Sequence, residues 1–267
     1  DMIIDCHVHI RTAHDAELGR LVAAADRAGV DIMSISSLGR EWNEFPSIED
    51  LETASADVSE ACMKYPDRFV GAVYASADHV DASLSLIDHY IAEGPFRSVK
   101  LWVSQYLDDP RLDPIVERCI ELDVPILAHS WLKATGNMTR ESTYYNAVNR
   151  AVSHPDLKFW IAHACGRWEE TARVIRDYPN LCVDVSGGEP EDGIVDCLLK
   201  QLDPDDFGAF ADTAAYRERA ARFAAKAPPI GSPMRERETR CADLLPEGTA
   251  WDAKRGELLI SSGRRRT

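Results

Sequence analysis

At 267 residues the chain can bury a full core in one large domain. Its 30 Lys and Arg stand against 45 Asp and Glu, a formal net charge of −15, so there is no cationic excess to exchange for phosphate counterions and a nucleic-acid partner is excluded. The seven Cys (6, 62, 119, 165, 182, 197 and 241) never fall in Cys-x-x-Cys spacing, which gives no disulfide framework or zinc knuckle and fits a reducing cytoplasm. No apolar stretch is long enough to span a bilayer, no signal pattern opens the chain, and Asp1 in place of Met suggests a start inside a longer reading frame.

Taken in order, short apolar runs alternate with amphipathic stretches, the pattern of βα units and a parallel sheet. Strands are predicted at 2–6, 31–36, 69–75, 97–103, 124–129, 158–163 and 181–186, with a doubtful eighth at 206–211. Helices by apolar spacing fall at 15–28, 48–65, 82–93, 112–122, 140–153, 167–178, 191–202 and 214–226. Gly94-Pro95 and Pro179-Asn180 are ordinary stop signals after two of them. No Gly-rich dinucleotide loop follows the first strand and no phosphate-binding Gly-x-x-x-x-Gly-Lys occurs. Eight strand slots, each followed by a helix, predict a (β/α)8 TIM barrel with its active site at the C-terminal ends of the strands.

Three of those ends carry histidine. His7-Val8-His9 closes the first strand, and residues i and i+2 of a strand share a face, so two imidazoles would stand side by side. Taken alone, such a pair is as compatible with core packing and a loop cap as with a metal site. His129 closes the fifth strand and His163 the sixth, whereas His14, His79, His89 and His154 fall in loops or helices. Over about 2–203 the motifs Ile-Asp-Cys-His-Val-His, Lys100, His129, Ile-Ala-His-Ala-Cys-Gly and Val-Asp-Val-Ser-Gly resemble, in order, the amidohydrolase superfamily. The likeness is greatest to the branch that includes aminocarboxymuconate-semialdehyde decarboxylase.

The resemblance implies a barrel holding a divalent metal, usually zinc with manganese as second choice. The implied ligands are His7, His9 and His129 with an aspartate from strand eight, and His163 stands beside the metal-bound water or the substrate. The family's Phe-Gly-Ser-Asp or Phe-Gly-Thr-Asp is replaced by Asp206-Phe-Gly-Ala-Phe-Ala-Asp212. Asp212 is therefore the candidate ligand and proton acceptor, with a helix N-cap as its other reading; Asp184 stands in reserve, though on strand seven it is better read as supporting the fold or the ligands. Lys100 reads either as a carboxylated bridge between two metals or, preferred here, as a cation contacting substrate or a carboxylate. Neutral imidazoles suit zinc, and an activated water with His163 polarising a carbonyl would make a hydrolase.

Residues just after the strands should line the pocket: Arg11, Lys100, Trp102, Gln105, Tyr106, Trp131, Arg167 and Trp168. The tryptophans suit a flat, partly apolar substrate, and Arg11 or Arg167 could hold a carboxylate. Rim packing is the alternative role for each Trp, and Gly187-Gly188 permits a close backbone approach or an ordinary turn. Beyond 226 the pattern collapses: 227–267 holds 8 basic and 6 acidic residues (net +2), so 1–226 carries 22 and 39 (net −17). We therefore expect a barrel domain at 1–226, with an incomplete or atypical eighth unit, and an irregular tail at 227–267 that reads as disorder, a binding arm or a displaced frame. The leading reading is a cytoplasmic metal-dependent hydrolase of an amide, ester or lactone of a small aromatic or carboxylate-bearing molecule. Behind it stand a non-oxidative decarboxylase of an aromatic or unsaturated acid and an inactive barrel with a decayed eighth strand. The partner is a small molecule, with no membrane, and a homodimer is allowed.

Overall fold

The computed structural model describes residues 3–187 and the strands at 245–252 and 257–263. Seven strands form one sheet in sequential order: β1 (Ile4–His9), β2 (Ile32–Ser36), β3 (Phe69–Ala75), β4 (Ser98–Leu101), β5 (Ile126–Ala128), β6 (Phe159–Ile161) and β7 (Leu181–Val183). Each runs parallel to the next. Helices α1 (Asp15–Ala28), α2 (Ile48–Lys64), α3 (Val80–Ile87), α4 (Asp113–Glu121), α5 (Tyr144–Ser153) and α6 (Trp168–Ile175) fill the connections. Parallel strands paired only with their sequence neighbours, each returning through a helix, are the (β/α)8 barrel architecture, seen here over seven strands.

Local chemistry explains the boundaries. Ser47 and Asp50 form a reciprocal capping box at the start of α2, Thr143 and Asn146 do the same for α5, and Gly29 ends α1 in the left-handed conformation. The strand predicted at 97–103 is shorter, and the helix predicted over 82–93 ends at Ile87 and continues as a π-turn over Asp88–Ala92. The core lies between sheet and helices, with Val8, Ile35, Val73, Val99, Ile126 and Ile161 buried against Leu18, Val58, Ile115 and Ala147. Because these seven strands point the same way, their C-terminal ends collect on one side of the sheet.

The doubtful strand at 206–211, the helices at 191–202 and 214–226, and Asp212 lie outside the described residues. Within the stretch expected to be an irregular tail, β8 (Leu245–Asp252) and β9 (Glu257–Gly263) pair as an antiparallel hairpin, and β9 lies beside β1. The search for a 3.6-residue period passes over such elements: Thr249-Ala250-Trp251 and Leu258-Leu259-Ile260 are short β-prone runs with no helical repeat.

Candidate metal centre

β1 delivers the first two imidazoles. His7 and His9 share a face, with their Nε2 atoms 3.1 Å apart. The other nitrogen of each ring points outward: His7 Nδ1 lies 3.1 Å from Asp184 Oδ2 and 2.9 Å from Ser186 Oγ, and His9 Nδ1 lies 2.9 Å from Ser36 Oγ on β2. From β4, the buried Lys100 Nζ donates to His7 Nε2 at 2.9 Å.

The second pair comes from β5 and β6. His129 follows β5, and its Nδ1 stands 3.1 Å from His163 Nε2. Its Nε2 faces Glu141 Oε1 at 2.8 Å. His163 sits in a turn, Ala162–Gly166, whose residues His163, Ala164 and Cys165 all have left-handed backbone (φ 65°, 39° and 58°). Non-glycine residues avoid that region at a cost of about 1–2 kcal/mol each. Asp184, just after β7, offsets the strain by accepting from the His163 N–H at 2.9 Å, while its backbone carbonyl accepts from the Ala164 N–H at 2.6 Å. The turn aims His163 Nδ1 at the Ser186 carbonyl, 2.8 Å away. Gly187, at φ +68°, closes the arrangement: a Cβ there would lie 2.5 Å from His163 Nδ1 and 3.3 Å from Trp131.

These contacts fix the protons. Ionised carboxylates and carbonyls only accept, so His7 donates from Nδ1 to Asp184, His129 from Nε2 to Glu141, and His163 from Nδ1 to Ser186. The inward nitrogens of these three rings are then lone pairs. His129 Nδ1 and His163 Nε2 thus face each other at 3.1 Å with no proton to share. Two nitrogens at ~2.0–2.1 Å from one tetrahedral zinc would be roughly 3.3 Å apart, so the donor set fits a cation between lone pairs of this kind.

Charge agrees with this assignment. Burial pulls His129 down to about 4, and burial, aided by Lys100 and the neighbouring rings, pulls His7, His9 and His163 down as well. All four imidazoles are therefore neutral near pH ~7, the form a metal requires. For Asp184, burial acts to raise the pKa, but His7, His163 and the Ser186 hydroxyl hold it well below the usual carboxylate range. Attraction to an imidazolium cannot be the main cause, because His7 itself is driven neutral. The donors account for it: the His163 and Ser186 N–H groups, the Ser186 hydroxyl and His7 Nδ1–H all point at this carboxylate.

His7, His163 and Asp184 have ligand atoms within 4.8 Å of one another, and His9 and His129 adjoin this group at 3.1 Å from His7 and His163. Of the pocket residues predicted from sequence, Trp131 packs on His163 (ring centroids 4.7 Å) and Trp102 lies 6.2 Å from Trp42, which in turn meets the His9 ring at 5.5 Å. The Arg11 guanidinium lies over Trp42 at 5.4 Å. Gln105 is buried and accepts from the Ala77 N–H, while Tyr106 is exposed. Two predicted residues stand apart: Arg167 is exposed and paired with Glu170, and Trp168 packs against the main core. Sequence reasoning missed Trp42, Glu141, Ser36 and Ser186; Ser186 was within a quoted motif, Trp42 sits in a loop with no local signal, and Glu141 was assigned to the start of the helix predicted at 140–153, which begins only at Tyr144.

The family model described as Amidohydrolase matches residues 4–227. No curated protein matches the chain. Among solved structures, 2,6-dihydroxybenzoate decarboxylase from Rhizobium is 17% identical with a TM-score of 0.62, over 87% of this chain and 94% of that one. Dihydroxybenzoic acid decarboxylase from Polaromonas sp. JS666, solved with manganese and the inhibitor 2-nitroresorcinol, is 16% identical with a TM-score of 0.62, over 84% and 90%. 4-Oxalomesaconate hydratase from Rhodopseudomonas palustris is 19% identical with a TM-score of 0.54, over 74% and 78%. At these identities the likeness is one of fold.

Proposed function

The chain belongs to the amidohydrolase family, and on that premise we propose that its histidine cluster holds one divalent metal ion and acts on a small planar carboxylic acid. The observation that carries this reading is the pair of inward lone pairs, His129 Nδ1 and His163 Nε2, held face to face while every outward nitrogen is engaged. His7, His9 and His129 would hold the ion, His163 stands beside it, and Asp212 remains the candidate fourth ligand. Asp184 already receives four donors, so we assign it to holding His7 and His163 in place. Imidazole donors favour zinc, and manganese, present in the Polaromonas enzyme, is the second choice. When bound, the ion supplies Lewis acidity to an oxygen of the substrate or of water.

The protein's own residues then set what is bound. Trp42, Trp102 and Trp131 offer flat apolar walls against which a ring could lie. Arg11, whose guanidinium lies over Trp42, would receive a carboxylate by two parallel hydrogen bonds. Lys100 Nζ brings a buried ammonium proton to the same cluster.

Of the two reactions such a site can run, non-oxidative decarboxylation is the better supported. Its carbon–carbon bond breaks to release carbon dioxide, the electron pair stays on the ring carbon, and one proton takes the vacated position. The aromatic walls suit the loss of a desolvated carboxylate, the two carboxylates that meet the histidine rings, Asp184 and Glu141, spend their oxygens on the histidines and their supports, and two neighbours of the same fold are named as decarboxylases of aromatic acids. Hydrolysis, the leading expectation from sequence, is favoured by the family's description and by Asp212 as a base for water. Metal-reconstituted protein, supplied with hydroxybenzoic acids, lactones and amides in deuterated, oxygen-18 water, separates the two. Carbon dioxide with one deuteron in the product supports decarboxylation; a product carrying solvent oxygen supports hydrolysis.

A further inference from the structure

The connection from β5 to α5 carries a buried carboxylate that the reaction does not use directly. Residues 129–143 leave the strand at His129 and fold back on themselves. The Trp131 N–H donates to the Ser142 carbonyl at 2.8 Å, and the Leu132 N–H donates to the Cys165 carbonyl at 2.7 Å, tying the loop to the His163 turn. Inside the loop, Asn137 Oδ1 accepts from the Lys133 N–H at 2.9 Å and Asn137 Nδ2 donates to the Trp131 carbonyl at 2.5 Å. The result is a closed bracket whose one inward side chain of consequence is Glu141.

Both Glu141 oxygens are engaged. Oε1 accepts from His129 Nε2 at 2.8 Å and from Lys133 Nζ at 2.8 Å; Oε2 accepts from Lys133 Nζ at 2.9 Å and from the Met138 N–H at 2.9 Å. The carboxylate side chain is wholly covered, and Lys133, which also lies over the Trp131 ring at 5.6 Å, supplies its counter-charge. Packing alone gives no reason to bury a charge here, because an apolar residue would fill the space without a counter-ion. What a carboxylate adds is a strong acceptor aimed at one nitrogen of His129. An imidazole that donates from Nε2 must present Nδ1 as its lone pair, and Nδ1 is the atom that faces His163.

We propose that Glu141 is a positioning residue of the metal centre: it locks His129 in the Nε2–H tautomer, so that Nδ1 is the ligating atom, while Lys133 keeps the carboxylate in place. This inference rests on the reading of His129 as a ligand. Its first readout needs no metal. Nitrogen-15 NMR of the histidine-labelled, metal-free protein is expected to show His129 wholly as the Nε2–H tautomer, a mixture of tautomers in Glu141→Ala, and the wild-type tautomer in Glu141→Gln, whose amide oxygen still accepts. Zinc affinity by competition with a chromophoric chelator is expected to fall about 10- to 100-fold in Glu141→Ala and to recover in Glu141→Gln. Wild-type tautomer and affinity in Glu141→Ala, or equal weakness in Glu141→Gln, would overturn the proposal. If Glu141→Ala does not fold, Lys133→Met decides: with its clamp removed the carboxylate is expected to release part of the His129 population to the Nδ1–H tautomer and to weaken zinc binding, and a wild-type tautomer with wild-type affinity overturns the assignment. A wild-type protein that binds neither zinc nor manganese would refute the metal reading, while the tautomer measurement still judges Glu141 by itself.

Discussion

His7 and His9 come within 3.1 Å of each other on a single strand, whereas His129 and His163, also 3.1 Å apart, are brought together from two strands by backbone that has left the strand path. The first pair needs only the two-residue period of β1 and hydroxyl or carboxylate partners on neighbouring elements. The second needs three consecutive left-handed residues, a glycine with no room for a methyl group, and a closed loop that returns Glu141 to its starting histidine. Equal spacing has thus been reached by regular geometry on one side and by stored strain on the other. The first half should therefore fail through its side chains and the second through its backbone.

The largest effect is expected at the regular half. His7→Ala removes a ring that meets His9, Lys100, Asp184 and Ser186 together, and the purified variant should lose bound metal. Its kcat/KM should fall by more than the roughly 10- to 100-fold typical of losing an outer partner. Next comes pH, read on metal-free protein. Folded His129, pulled to about 4 chiefly by burial, stays neutral between about 6.5 and 4, while its unfolded counterpart is protonated. The unfolded state then binds more protons, so stability falls as pH falls through that window, by about 1.4 kcal/mol per pH unit for each such histidine. Glu141 acts lower: burial opposes ionisation, but His129 and Lys133 hold it near about 2, so its contribution is complete above 4.5 and is lost as pH falls toward about 2. Denaturant midpoints that stay flat from pH ~7 to ~4.5 would contradict the neutral cluster.

At the strained half, Gly187→Ala places a methyl group against His163 and forces a left-handed alanine, an added cost of about 1–2 kcal/mol. Thermal unfolding should register the loss, and kcat should fall while the His7–His9 side is untouched. The smallest effect is expected at Arg167. Its guanidinium pairs with Glu170 on the first turn of α6, so Arg167→Ala should leave KM for a carboxylate substrate within about twofold and stability within about 0.5 kcal/mol. A large rise in KM would return Arg167 to the pocket, where the sequence placed it.

The same contrast separates what was legible in the sequence from what was not. The seven strands could be read because each is an apolar run bounded by helix signals, and His7, His9, His129 and His163 because the barrel fixes where strand ends point. Lys100 was found for the same reason. The Ala162–Gly166 turn was hidden, since Ala-His-Ala-Cys carries no residue that announces left-handed backbone. Glu141 was hidden because its partner is set by loop closure, and Trp42 because its loop after β2 has no period. Asp184 was read as a reserve ligand whose better role on strand seven is support, and its four donors agree with a carboxylate occupied with holding two histidines.

The central claim is that four neutral imidazoles converge on a cation site, with His7, His9 and His129 as its ligands and His163 beside it. Metal analysis of purified protein, after reconstitution with zinc or manganese and removal of loosely bound ions, addresses it most directly. The account predicts about one tightly held divalent ion per chain in the wild type and none in either His7→Ala or His129→Ala. A folded wild-type protein that retains no metal, or variants that retain it fully, would contradict it.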